Sequence, residues 1–136
     1  ARHWARMGLL YLRDGVWDGR EILPRGWVDF SRTPAPADNN GNFGAHMWLN
    51  RDPGPEQFPK PLPGLPESLF MATGNGGQYV VAVPEKDLVA VRLGEMQGTD
   101  WGSLGGQMAA MIQLFPDRAG PVAPSEAEAP RAGARP

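Results

Sequence analysis

Apolar positions along the chain change period several times, and each change marks an expected element. In Ala1–Gly15, Trp4, Met7, Gly8 and Tyr11 fall at i, i+3, i+4 and i+7, with Leu9, Leu10 and Leu12 widening the stripe. That is the spacing of an amphipathic helix, and Gly15 suits its C-terminal stop. Asp18-Gly19 is a tight-turn dipeptide, so Val16-Trp17 and Glu21-Ile22 are expected as a short extended pair. Pro24 suits the first turn of a second helix, continued by Trp27, Val28 and Ser31 to about Thr33, where Pro34 ends it. Residues 34–42 are polar and rich in Pro and Asn, a loop, and Gly44–Asn50 reads as a strand. Arg51–Pro66 carries prolines at 53, 55, 59, 61, 63 and 66, which excludes regular helix and central strand and predicts an extended surface excursion.

The clearest pattern is Ser68–Leu93. Leu69–Thr73, Gln78–Val83 and Leu88–Leu93 are short β-branched or apolar runs, separated by Gly74-Asn75-Gly76-Gly77 and by Pro84-Glu85-Lys86-Asp87. Such runs joined by short turns predict an antiparallel meander. The second and third runs are near-continuously apolar, so both faces of the sheet should be covered by helices. Leu104, Met108, Met111, Ile112 and Phe115 share one helical face of Trp101–Phe115, a closing helix that Pro116 ends. The expected fold class is α+β, an antiparallel sheet with packed helices. Residues 1–116 form the folded part, and Asp117–Pro136, which has no aromatic residue, reads as a disordered Ala/Pro-rich tail.

Composition narrows the chemistry. Thirteen Lys and Arg against fifteen Asp and Glu give a net charge of −2, without the basic surplus of a nucleic-acid binder. The 136 residues suit one domain. They contain no cysteine, hence no thiolate nucleophile and no Cys-type zinc site. No apolar run approaches the roughly 20 residues of a membrane helix. A chain that opens on Ala, already inside a helical pattern, reads as a piece of something longer.

Nucleophilic chemistry has no complete set of parts. There is no G-x-S-x-G. Three residues beyond Ser31, Ser68, Ser103 and Ser125 stand Pro34, Met71, Gly106 and Glu128, so no S-x-x-K places a lysine one helical turn from a serine. His3 and His46 lack metal-ligand spacing. Gly74-x-Gly76-Gly77 departs from the dinucleotide fingerprint, because residue 79 is Tyr and no helix pattern follows. Neither a metal nor another cofactor is therefore expected. One segment stands out, Gly74-Asn75-Gly76-Gly77-Gln78 between two apolar strands. It reads either as a glycine-rich hairpin turn or as a backbone concavity able to present N–H groups to a ligand.

Taken in order, ARHWARMGLLYLRDGVWDGREILPRGWVDFS, the aromatic FGAHMWLN, LFMATGNGGQYVVAVPEKDLVAVRLG and the closing helix resemble the C-terminal part of serine β-lactamase-like hydrolases. That superfamily includes class C β-lactamases, penicillin-binding-protein-type peptidases, related esterases and 6-aminohexanoate-dimer hydrolases. The resemblance covers about residues 1–115. It implies a parent hydrolase acting on a small-molecule ester or amide through an acyl-enzyme. The S-x-x-K serine and the Y-x-N tyrosine of such proteins normally lie upstream. Here Tyr11 and Tyr79 are followed at +2 by Arg13 and Val81, so this chain supplies no catalytic residue of those two motifs. The third motif, K-T-G or H-x-G, corresponds to Asn75-Gly76-Gly77, and the backbone N–H of Gln78 then corresponds to an oxyanion donor. Where many relatives have His, this chain has Asn75, which hydrogen-bonds but carries no proton at neutral pH. The alternative reading is a non-catalytic structural or binding module.

Overall fold

The structure, a computed structural model, describes residues 1–37, 41–52, 60–95 and 100–118. Helix α1 (Arg2–Leu12) leads into a hairpin of β1 (Val16–Trp17) and β2 (Arg20–Glu21), then helix α2 (Trp27–Arg32). Strands β3 (Trp48–Leu49), β4 (Phe70–Gly74), β5 (Gln78–Val83) and β6 (Leu88–Arg92) follow, with one 3-10 turn at Pro84–Lys86, and α3 (Trp101–Gln113) closes the chain. The main sheet is antiparallel in the order β3-β4-β5-β6. Helices on an antiparallel sheet make the fold α+β.

Strand periodicity decides what each face meets. Met71, Tyr79, Val81, Val83 and Ala90 point to one side, against Leu104, Met108, Ala109 and Ile112 of α3 and against Leu62 and Leu65. Phe70, Ala72 and Ala82 point to the other, against Tyr11 and Leu12 of α1 and Val28 of α2. The near-continuous apolar run of β5 thus reflects burial on both faces, whereas in the edge strand β6 only Ala90 is fully buried. Helix α1 lies close over β5 and β6 because position 8 is glycine. A Cβ there would stand 2.6 Å from Val89 Cγ1 and 3.0 Å from Val80 Cγ1.

Asp18 and Gly19 form the β1–β2 turn with φ of 50° and 71°, both positive as a type I′ hairpin requires. The pairing is Val16↔Glu21 and Trp17↔Arg20, one residue tighter than the expected extended pair. Helix α2 begins at Trp27 rather than Pro24, because Gly26 stands at φ 79°, outside helical space.

Four expectations need correction. The predicted strand Gly44–Asn50 is a doubled-back segment in which only Trp48–Leu49 is strand. Gly44 N–H donates to Met47 O at 2.8 Å, Leu49 N–H donates to Asn42 O at 2.7 Å, and His46 takes φ 63° at the bend. The proline-rich excursion does not stay on the surface in its described part: Leu62 and Leu65 are core residues, 0% and 3% exposed. The buried amide of Asn50 draws them in. Its Oδ1 accepts from Leu62 N–H at 2.8 Å, and its Nδ2 donates to Leu62 O, Leu65 O and Pro66 O at 3.0–3.2 Å. Prolines keep this segment from forming a ladder, so beside a single turn bond from Leu65 N–H to Leu62 O one side chain supplies the partners. Of the expected helical face, Leu104, Met108 and Ile112 are buried, whereas Met111 is exposed and Phe115, also exposed, lies beyond the helix end at Gln113. Trp4 of the expected α1 core stripe is also exposed.

The tail expected from residue 117 lies mostly outside the described residues, but its first two residues are docked. Lys86 Nζ donates to Phe115 O and to Asp117 Oδ1, at 2.6 and 2.7 Å. Arg118 N–H donates to Glu85 O at 2.8 Å, and its guanidinium joins that of Arg13 on Asp87.

Candidate functional site

The segment singled out in the sequence, Asn75 to Gln78, is the connection of the central β4–β5 hairpin. Gly74 pairs with Gln78, and Gly77 N–H donates back to Gly74 O at 3.2 Å. Gly76 at φ 73° and Gly77 at φ 85° take the left-handed conformations that the third turn position and a following glycine bulge require. Gly77 is buried and Asn75 exposed, so the turn presents one amide side chain outward from a backbone set into the core. The pattern of two apolar runs around glycines was legible in the sequence. What holds the glycines in place was not.

Two side chains hold the turn. Gln78 Nε2 donates to Gly94 O at 2.7 Å, and Gln78 Oε1 accepts from Gly94 N–H at 3.0 Å. Its amide therefore continues the sheet as a mimic of one more strand residue beyond Arg92. Arg92 Nη1 donates to Gly77 O at 2.5 Å and to Gly94 O at 3.2 Å. The described peptides are trans, so the Gln78 N–H, in the same unit as Gly77 C=O, points away from Arg92. Arg92 faces Tyr79 across the β5–β6 pair. Burial raises the Tyr79 phenol above its usual range, and the charge of Arg92 pulls it partly back. Sequence reasoning considered only the backbone of Gln78 and passed over Arg92. The signal was present: Arg92 is the single charge in the apolar run Leu88–Leu93.

The other chemistry-bearing residues do not converge on this turn. Ser31 Oγ is spent on Trp27 O at 2.9 Å, Ser68 Oγ on the Glu85 carboxylate, and Ser103 Oγ accepts from Gln107 at 3.4 Å. Ser125 lies outside the described residues. His3 is on the exposed side of α1 and His46 at the β3 bend, both exposed. Among the described residues, no group of three His, Asp or Glu could hold a metal ion. Among them, too, no helix is long and apolar enough to cross a membrane.

A cleft of about 520 Å³ opens at the opposite end of β4, lined among others by Asp29, Arg32, Arg51, Glu67 and Ser68. Arg32 is held there by a 2.8 Å bond to Ser68 O, with its guanidinium 4.9 Å from the Phe70 ring centre. Five strand steps, roughly 16 Å, separate Leu69 from Gly74, so this cleft and the glycine turn are distinct places. We place the candidate site at the turn, because backbone donors fixed by side chains are suited to chemistry, and an open cleft with charges of both signs is not selective by itself.

Geometry therefore defines an α+β unit with a glycine turn, tied by Gln78 and Arg92, at one end of its sheet. No family model and no curated protein matches the chain.

Proposed function

We propose that this chain is the C-terminal segment of a serine hydrolase of the β-lactamase-like superfamily, acting on a small ester or amide through an acyl-enzyme. The supporting observation is the turn itself: a surface amide, Asn75, on a backbone held rigid by Gln78 and Arg92. Preorganised donors are what acyl transfer requires, because an oxyanion develops only in the transition state and fixed dipoles need no reorganisation to meet it. In this reading a serine outside these residues attacks the acyl carbon, its proton passing to a neighbouring base. The tetrahedral oxyanion meets the Gln78 N–H, and its collapse expels the alcohol or amine, which regains the proton. Water then releases the acid. Asn75 orients the substrate by hydrogen bonding.

The test is a chromogenic short-chain ester offered to the full-length protein and to this chain alone. The full-length protein should turn over and show an acyl adduct by mass spectrometry, and the chain alone should do neither. Asn75→His should raise turnover in the full-length protein, since imidazole can hold or move a proton near pH 7. No adduct and no turnover in the full-length protein would overturn the reading. The second reading, a non-catalytic structural module, is favoured by one observation: Ser31 and Ser103 are bonded to a carbonyl and an amide rather than to a base, and Ser68 with its Glu85 carboxylate lies at the end of β4 away from the glycine turn.

A further inference from the structure

The family resemblance assigns Arg92 no role, yet its position explains how the glycine turn keeps one geometry. Two successive glycines at positive φ, Gly76 and Gly77, have wide conformational freedom. The peptide unit that follows Gly77 would ordinarily rotate with little cost. It carries Gly77 C=O at one end and Gln78 N–H at the other. Arg92 Nη1 holds the carbonyl end at 2.5 Å. The same nitrogen reaches Gly94 O at 3.2 Å, and Gly94 is in turn gripped by both polar atoms of the Gln78 amide. Four bonds thus close a ring through Gly77, Gln78, Arg92 and Gly94. The Arg92 guanidinium is partly buried, where a charge-assisted bond is strong and leaving the carbonyl unpaired is costly.

We propose that Arg92 is a positioning residue for the Gln78 backbone donor: by holding Gly77 C=O it sets the plane of the Gly77–Gln78 peptide and so the direction of the Gln78 N–H. The catalytic side of this statement rests on the hydrolase reading, whereas the geometric side stands on the chain alone. Arginine suits the task better than lysine, since its planar fork fixes an orientation that a single ammonium on a flexible stem does not.

Residual dipolar couplings of the chain, weakly aligned, read the N–H direction of each backbone amide. In Arg92→Met the Gln78 coupling should leave the alignment frame defined by the amides of β4, β5 and α3, while Tyr79–Val83 stay in it. Arg92→Lys should restore it in part. A Gln78 coupling unchanged in Arg92→Met overturns the proposal, whatever the melting temperature does. Should Arg92→Met not fold, the unsubstituted chain decides: a scalar coupling through the hydrogen bond from Arg92 Nη1 to the Gly77 carbonyl carbon is expected, and its absence overturns the proposal. In the full-length protein Arg92→Met should lower kcat on a chromogenic ester by roughly a hundredfold with little change in KM, the effect of misaligning a donor used in the transition state. A displaced Gln78 coupling with unchanged kcat would instead refute the hydrolase role given to the Gln78 donor, so the two failures are distinguishable.

Discussion

Adding one methyl group at Gly77 should cost far more than adding it at the neighbouring Gly76. Both glycines sit at positive φ, 85° and 73°, so each alanine variant bears the left-handed penalty of roughly 1–2 kcal/mol. Their surroundings differ. A Cβ on Gly77 would stand 2.7 Å from Leu104 Cδ2 and 3.1 Å from Arg92 Nη1, whereas one on Gly76 would meet nothing nearer than Glu95 Cγ at 3.5 Å. Leu104 is 3% exposed and packed in the α3 cluster, so it has little room to retreat. Overpacking of this kind costs about 1–3 kcal/mol. Gly77→Ala should therefore lose about 2–5 kcal/mol in all, against about 1–2 kcal/mol for Gly76→Ala. At about 4 °C per kcal/mol for a chain of 136 residues, the two melts should separate by roughly 4 °C or more. Urea titrations of the wild-type chain and the two variants, with equal m-values required, give the comparison. Equal losses at the two positions would show that α3 does not bear on the turn, and would refute the packing on which the rigidity of the site depends.

Arg13 and Arg118 hold the Asp87 carboxyl below its usual range, the Arg13 hydrogen bond contributing most. A carboxylate with a lowered folded-state pKa adds stability above its unfolded value, near 4, and loses it as pH falls through the folded value. Acid titration of stability should therefore be flatter in Asp87→Asn, which tolerates the φ of 49° at this position and should cost about 0.5–1 kcal/mol at pH 7. A chain ending at Pro116 should melt below one ending at Arg118 by about 1 kcal/mol in stability, through loss of the Lys86, Glu85 and Asp87 contacts, and identical melts would contradict the docking. Asn50→Ala should lose about 2–4 kcal/mol by leaving Leu62 N–H and Leu65 O without the Asn50 amide, while Leu62 O and Pro66 O keep the N–H groups of Leu65 and Leu69. Asn50→Asp should be no better despite its shape, since a carboxylate would face three carbonyl oxygens.

Much of the fold was written in local pattern. The meander Phe70–Arg92, its two turns, the type I′ turn at Asp18-Gly19 and the helices α1 and α3 follow from side-chain period and turn chemistry, which act over a few residues. So does the expectation that both faces of β5 are covered, which the edge strand β6 meets only in part. Tertiary structure alone decided three other matters. His46 at φ 63° broke an aromatic run that alternates like a strand, because the chain there bends back upon Asn42. Asn50 drew Leu62 and Leu65 into a core that their prolines seemed to exclude, through bonds spanning 12 to 16 residues. At the glycine turn, the residue types were visible as a hairpin or a concavity. The hold of Arg92 on Gly77, 15 residues apart in sequence, exists only once β5 and β6 are paired. Local propensity carries no information about such partners; only the folded register brings them within hydrogen-bonding distance.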